Sequence, residues 1–245
     1  MKLIGNTILI TGGSEGIGLE LARALLPDNR VIICGRNDDK LQRAKAALPG
    51  LLIEQCDLTD ERQRNALVAR LLASYPQLDL LINNAGGKQP VDLLEGDDND
   101  SAMARDLALN FIAPAALCNA LLPQLRARPR AAIVNITTGL VYLPKAEQAF
   151  YCAAKAALHS YSESLRWRLQ ETSVEVYEVL MPLVDTQFHL GQLPDSVPAI
   201  SAEQAARLTL QGIRAGCHQI RPGKSRLARW LALLAPQRGM RLVNG

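Results

Sequence analysis

The residues Thr7-Ile-Leu-Ile-Thr11-Gly12-Gly-Ser-Glu-Gly-Ile-Gly18-Leu19-Glu-Leu-Ala-Arg-Ala-Leu-Leu26 decide the fold. A β-branched run passes through a glycine turn into a segment of helical period, the order that a nucleotide-binding crossover requires. Gly12 permits the tight turn, Gly16 lets backbone amides approach a pyrophosphate, and Gly18 allows close packing of the helix. Ser14, Glu15 and Ile17 lie between them as further candidate contacts, and the helix N-terminus adds a dipole that favours an anion. A glycine turn is weak evidence by itself; its place directly after a first strand makes it specific.

Outward from this stretch, short apolar runs alternate with longer segments of helical period. Strands are expected near Thr7–Thr11, Arg30–Cys34, Leu51–Cys56, Leu78–Ile82, Ala131–Ile136, Val174–Leu180 and His218–Ile220. Helices are expected near Gly16–Leu26, Lys40–Leu48, Glu61–Ser74, Ala102–Leu125, Gln148–Glu171 and Ala202–Ala215. This alternation predicts an α/β Rossmann fold: one doubly wound, seven-stranded parallel sheet with helices on both faces. No internal repeat, low-complexity tract or linker interrupts it, so residues 1–245 read as a single domain. Segments 87–100 and 187–200 lack a clean period and carry Gly, Pro and Asp. They read as substrate loops at the carboxyl ends of strands, where ligands bind in open α/β sheets.

The second strand ends Ile32-Ile-Cys-Gly35-Arg36. A fold choosing NAD usually places an acid there for the ribose 2′-hydroxyl, whereas Arg36 offers a fork suited to a 2′-phosphate. NADP(H) is therefore expected over NAD(H). Glu15 opposes that preference, because its charge stands in the neighbouring turn. The plainer reading of Arg36 is a solvated surface arginine.

Tyr151 and Lys155 are four residues apart in a helix-compatible run, so both project from one face. A neighbouring ammonium favours the phenolate and is expected to lower the phenol's ordinary pKa toward neutrality. Tyr142, with no lysine four residues on, reads as a pocket wall.

The ordered set Thr11-Gly-Gly-Ser-Glu-Gly-Ile-Gly18, Cys56-Asp57-Leu58, Asn83-Asn-Ala-Gly86, Asn110, Ile133-Val-Asn-Ile-Thr-Thr138, Tyr151-Cys-Ala-Ala-Lys155 and Pro182-Leu-Val-Asp-Thr186 resembles the short-chain dehydrogenase/reductase family. The resemblance spans nearly the whole chain and within the family is nearest to the DltE-like oxidoreductases. It implies hydride transfer between a nicotinamide and a carbonyl or alcohol substrate. Tyr151 would be general acid or base, Lys155 would hold the nicotinamide ribose, Thr138 would donate to the substrate oxygen, and Asn110 would hold a water beside Lys155. It also implies cofactor contacts from Asp57 and Leu58 at the adenine, from Asn84, Ala85 and Gly86 beside the adenosine ribose, and from Pro182, Val184 and Thr186 near the nicotinamide. Two positions depart from the pattern: Thr138 stands where serine is usual, and Leu183 where the motif usually has glycine after proline. Both leave room for an alternative, a dinucleotide-binding regulatory module without turnover. An isomerase or dehydratase using the nicotinamide transiently is disfavoured, since such relatives usually carry a larger C-terminal domain.

With 48% hydrophobic and 21% charged residues in 245, the chain has the composition of a soluble globular protein, and a cytoplasmic location is expected. Five scattered cysteines without a Cys-x-x-Cys pair suggest neither disulfides nor zinc, and His159, His189 and His218 form no ligand pattern, so no metal is expected. His159 reads as surface or interface packing. The net charge of +3 is uneven: no acid follows Glu203, while the last stretch carries eight arginines and lysines. In the basic C-terminal segment 224–245, Leu227, Trp230, Leu231 and Leu234 share a helical face beside Arg226 and Arg229. Such a face can bind an anionic membrane surface, cover a subunit interface or flank the pocket, and apolar helical stripes are more often core or interface. No aromatic residues interleave with the basic ones in the manner of nucleic-acid binders, so nucleic acid is not an expected partner. The family resemblance implies a homodimer or homotetramer through the two long helices.

Overall fold

The computed structural model describes residues 1–94, 99–189, 198–223 and 225–245. Its strands, in chain order, are β1 (Thr7–Thr11), β2 (Arg30–Gly35), β3 (Leu52–Gln55), β4 (Leu78–Asn83), β5 (Ala131–Thr138), β6 (Val174–Met181), β7 (Val184–Asp185), β8 (Ile200–Ser201) and β9 (Gln219–Ile220). Its α-helices are α1 (Gly16–Leu25), α2 (Asp38–Ala47), α3 (Glu61–Ser74), α4 (Asn99–Leu107), α5 (Ala113–Arg126), α6 (Ala149–Leu169), α7 (Ala202–Arg214), α8 (Ser225–Leu234) and α9 (Pro236–Asn244). Seven strands form one sheet in the order β3-β2-β1-β4-β5-β6-β9, and every pairing is parallel. The order reverses between β1 and β4, which creates the crevice where such sheets bind ligands.

The strands read as unbroken apolar runs because both faces of the sheet are covered. Side chains alternate between faces. Ile8, Ile10, Val31, Ile33, Leu80 and Ile82 pack with α1, α2 and α7 through Leu21, Leu25, Leu41, Leu210 and Ile213. Leu9, Ile32, Leu81 and Ile133 pack on the other face with α3, α5 and α6 through Leu67, Leu71, Leu117, Leu121 and Leu165.

Several boundaries differ from the sequence reading for local reasons. Helix α2 starts at Asp38, earlier than Lys40, because the Asn37 side chain accepts from the backbone amide of Lys40. The helix expected over Ala102–Leu125 extends from Asn99 to Arg126 but contains a π turn, Ala108–Ile112, between α4 and α5. Stretch 99–126 is long and apolar enough, by length and composition alone, to cross a membrane. In the fold its residues Ala113, Leu117, Leu121 and Leu125 are buried against the sheet. The segment expected as loop 87–100 ends at α4, and residues 95–98 lie outside the described ones. The second expected loop, 187–200, contains a 3-10 turn at Gln187–His189 and runs into β8, while residues 190–197 likewise lie outside the described ones. Strand β8 pairs in parallel with β7, apart from the seven-stranded sheet. From segment 224–245, residue 224 lies outside the described ones and the rest forms α8 and α9. Cys34, Cys56, Cys118 and Cys152 are buried free thiols, while Cys217 is exposed.

Candidate active site

The glycine turn after β1 is held by side chains that reach across from β4. Thr11 Oγ1 accepts from the backbone amides of Asn84 and Ala85 at 3.0 and 2.9 Å. The Asn84 side-chain amide donates to the carbonyl oxygens of Thr11 and Gly12 at 3.0 and 3.1 Å. Asn84 thus fixes the turn's carbonyls, while the Gly12 amide donates to the Cys34 carbonyl of β2 at 2.8 Å. Gly12 has φ +63°, and a Cβ there would come 2.9 Å from Ala85 Cα. A Cβ at Gly18 would stand 2.3 Å from the Gly12 carbonyl oxygen and 2.6 Å from the Asn84 amide, so α1 can approach the turn only as glycine. Gly13 is equally constrained, by the Ile33 side chain, and was not singled out by the sequence pattern. Thr186, beyond β7, lies over the turn: a Cβ at Gly16 would be 3.3 Å from its Cγ2.

At the end of β2, Arg36 is exposed and its carbonyl oxygen accepts from the Gln55 side chain at 3.2 Å. The opposing charge of Glu15 is not isolated, because Lys40 Nζ contacts its Oε2 at 2.7 Å. Lys40 escaped the sequence reading because the pair joins residues in different elements with no helical spacing between them. At the end of β3, the Cys56 amide donates to the Gly35 carbonyl at 2.9 Å, which brings Asp57 and Leu58 beside Gly35 and Arg36. Asp57 Oδ1 accepts from the amide and hydroxyl of Thr59 at 2.9 and 2.7 Å. Leu58 is buried, with its carbonyl held by Arg64.

The second cluster forms where β4, β5, the π turn and α6 meet. Asn83 is buried and bridges to Asn135 at 2.9 Å; Asn135 donates to Ser162 at 2.8 Å. This chain of polar side chains fastens α6 to the sheet. Tyr151 and Lys155, one turn apart on α6, are both buried. Lys155 Nζ donates to the Ile136 carbonyl at 2.9 Å. Burial pushes its pKa down to about 8. Burial also dominates at Tyr151 and pushes the phenol upward, while a hydrogen bond with Thr138 opposes the shift. The expected lowering of the phenol by Lys155 is therefore not what this pocket produces, since desolvation of a 7%-exposed ring outweighs its polar partners. Thr138 faces Tyr151. Its neighbour Thr137 points the other way and donates to Glu178 at 2.6 Å, as alternation along a strand requires.

Asn110 is fully buried within the π turn. Its amide donates to the carbonyls of Gly87 and Asp106 at 2.8 and 3.0 Å, and its Oδ1 accepts from the Gly87 amide at 3.3 Å. Both donors are used; one acceptor lone pair remains. This clamp presses the strand-end loop inward, so a Cβ at Gly86 would stand 3.1 Å from Asn110 Oδ1 and 3.6 Å from Lys155 Nζ. On the outer side, the Phe188 ring lies 5.8 Å from that of Tyr151, and Lys88 Nζ stands 5.4 Å from the Phe188 centroid. Neither Phe188 nor Lys88 carried a periodic or motif signal. Pro182 follows β6, and Val184 is buried in β7, which pairs with β8.

Tyr142 accepts from Arg221 at 3.2 and 3.3 Å and packs edge-on against His159. His159 is half-buried on α6. Its ring nitrogen lies 2.8 and 2.9 Å from the oxygens of fully buried Glu178, and that hydrogen bond raises its pKa.

Residues 6–194 match the short chain dehydrogenase family, and the chain belongs to it. It is an oxidoreductase of that family. It is 44% identical to the uncharacterized oxidoreductase DltE of Bacillus subtilis, over 90% of this chain and 89% of the relative. Among solved structures, a short chain dehydrogenase from Burkholderia cenocepacia in complex with NADP superposes with TM-score 0.86 at 24% identity, covering 99% of each chain. A short chain dehydrogenase/reductase from Burkholderia phymatum in complex with NAD gives TM-score 0.84 at 21% identity, covering 100% of this chain and 97% of that one. These two likenesses concern the fold alone; one fold accommodates either dinucleotide, so the preference must lie in side chains.

The residues here fit a dinucleotide. The cradle at Gly12 and Gly18 has no room for a Cβ, and the acid beside it is paired with a lysine.

Proposed function

We propose that this oxidoreductase uses NADP(H) to interconvert a carbonyl and an alcohol, with Tyr151 as the proton donor or acceptor. The observation that carries this reading is the convergence of Thr138, Tyr151, Lys155 and Gly86 at the sheet edge beside the glycine turn. The bound nicotinamide supplies or accepts the hydride. Gly12, Ser14, Gly16, Ile17 and Gly18 hold its pyrophosphate, Asp57 and Leu58 its adenine, and Asn84, Ala85 and Gly86 flank the adenosine ribose. Pro182, Val184 and Thr186 border the nicotinamide. Arg36 and Lys40 together offer two cations for a 2′-phosphate, and pairing of Glu15 with Lys40 blunts the opposing charge.

Tyr151 keeps its proton near neutral pH because burial disfavours the phenolate, which suits donation to a substrate oxygen. Thr138 aligns that oxygen by donating a hydrogen bond. Lys155 spends one donor on Ile136 and has two for ribose hydroxyls, while its depressed pKa lets it exchange a proton close to neutrality. Asn110 positions Gly86 and Gly87 and keeps one lone pair of Oδ1 for a water beside Lys155. Segments 87–100 and 187–200 shape the substrate pocket, with Lys88 and Phe188 at its rim. The whole chain works as one domain in the cytoplasm, as a homo-oligomer paired through α5 and α6, with Ile112 of the π turn just before α5 and Trp167 of α6 exposed.

The test is Tyr151→Phe, assayed for NADPH-dependent reduction of a carbonyl panel. Turnover should fall by about a thousandfold or more, with dinucleotide affinity within about twofold of the unaltered protein. Full turnover in the variant refutes the assignment. Loss of nucleotide binding would mean that Tyr151 serves the cradle instead.

A further inference from the structure

Helices α8 and α9 present apolar side chains to solvent. Leu227, Trp230, Leu233 and Leu234 are 52, 59, 63 and 77% exposed, and in α9 Leu242 is 71% exposed. At 100° per residue, those four positions of α8 fall within one third of its circumference. The opposite side, with Ser225 buried and Ala228 and Ala232 half-buried, faces the body of the protein. The exposed stripe differs from the one expected from sequence: Leu231 turns partly inward and Leu233 outward.

Attachment to the body is specific. Gly239 packs on Leu143 so closely that a Cβ would come within 2.8 Å. Asn244 accepts from the Ala146 amide at 2.6 Å and donates to the Pro144 carbonyl at 3.1 Å. These contacts fix α9 on segment 143–146, between Thr138 and Tyr151. The apolar face therefore belongs to a docked pair of helices.

Its charges are all of one sign. Arg226, Arg229, Arg238 and Arg241 are exposed, and no acid follows Glu203. The acid in the contacted loop, Glu147, is paired with Lys145 at 2.9 Å. A second copy seated on this face by two-fold symmetry would set the arginines against themselves without a carboxylate to meet them. A surface of anionic headgroups over acyl chains complements both features: the leucines and Trp230 enter the apolar boundary, and the arginines stay with the phosphates.

We propose that α8 and α9 form a docking surface for an anionic lipid bilayer, holding the protein reversibly at the membrane with the rim of its active site beside the lipid. The test is co-sedimentation of the full chain with vesicles of phosphatidylcholine alone or with one quarter phosphatidylglycerol, at low and high salt. Two variants accompany it, Trp230→Glu with Leu233→Glu, and Arg226→Glu with Arg229→Glu. NADPH titration and light scattering on the same samples report the fold and the oligomeric state. The unaltered protein should partition at least about tenfold more strongly onto the anionic vesicles, less so in high salt, and each variant should lose about tenfold while still binding dinucleotide. Failure of the unaltered protein to bind, or binding by either variant as strong as that of the unaltered protein, overturns the proposal. So does dissociation of an oligomer by Trp230→Glu with Leu233→Glu, which would assign the face to a second copy.

Discussion

At the glycine turn, Thr11, Asn84 and Ala85 lock the backbone through hydrogen bonds between neighbouring strands. Around Tyr151, at the proposed substrate rim, Phe188 leans on the phenol ring and Lys88 reaches over Phe188, while nearby Tyr142 is suspended between His159 and Arg221. The first region is built from main chain and small residues with no spare volume. The second is built from long side chains on segments that follow the strands. Such a division keeps the cofactor half constant in shape while leaving the substrate half free to differ, because side chains at the rim can change without disturbing the sheet.

The comparison breaks most visibly at Gly18. Gly18→Val forces a branched side chain against the Gly12 carbonyl and Asn84, and dinucleotide affinity should fall by about a hundredfold, roughly 2.7 kcal/mol. Fluorescence titration checks it; near-normal affinity would mean the turn has slack that the packing denies.

Beneath the rim, His159→Gln removes the ring that meets Glu178. The buried carboxylate keeps Thr137 but loses its cationic partner, and stability should drop by about 2 kcal/mol in denaturant unfolding. Because the folded pKa of His159 is raised, the pair's contribution is complete below the unfolded value near ~6.5 and fades as pH rises through the folded value. The gap between the two proteins should therefore be widest in mild acid and narrow toward alkaline pH. A pH-independent gap would assign the effect to packing alone.

A smaller effect sharpens the cofactor side. Arg36→Ala should weaken NADPH by about tenfold, ~1.4 kcal/mol, and leave NADH nearly unchanged. Equal loss for both would return Arg36 to the solvated surface.

Strands β1, β2, β4, β5 and β6 were legible because burial on both faces leaves uninterrupted apolar runs, and the glycine turn because its spacing is local. Tyr151 and Lys155 were legible for the same reason, being one helical turn apart. What could not be read depended on contacts distant in sequence. Lys40 of α2 meets Glu15 of the glycine turn, Phe188 meets Tyr151 from another segment, and Glu178 meets His159 and Thr137 only once α6, β5 and β6 pack together. The sign of the Tyr151 shift was also out of reach, since it is set by how completely the pocket excludes water.

The π turn between α4 and α5 has a consequence for the length of the chain. A π turn holds one residue more than the α-helical turn it replaces. Deleting one residue from 108–112 would let the helix close to regular α winding with α4 and α5 still in register, because the π turn already absorbs the extra residue. Asn110 would lose the widened turn from which it reaches Gly87, while Leu117, Leu121 and Leu125 would still meet the sheet. The extra residue therefore serves the clamp of Asn110 on Gly87 and not the packing of α5, and a one-residue deletion should be borne by the core at 108–112 far better than within the regular windings of α4 or α5.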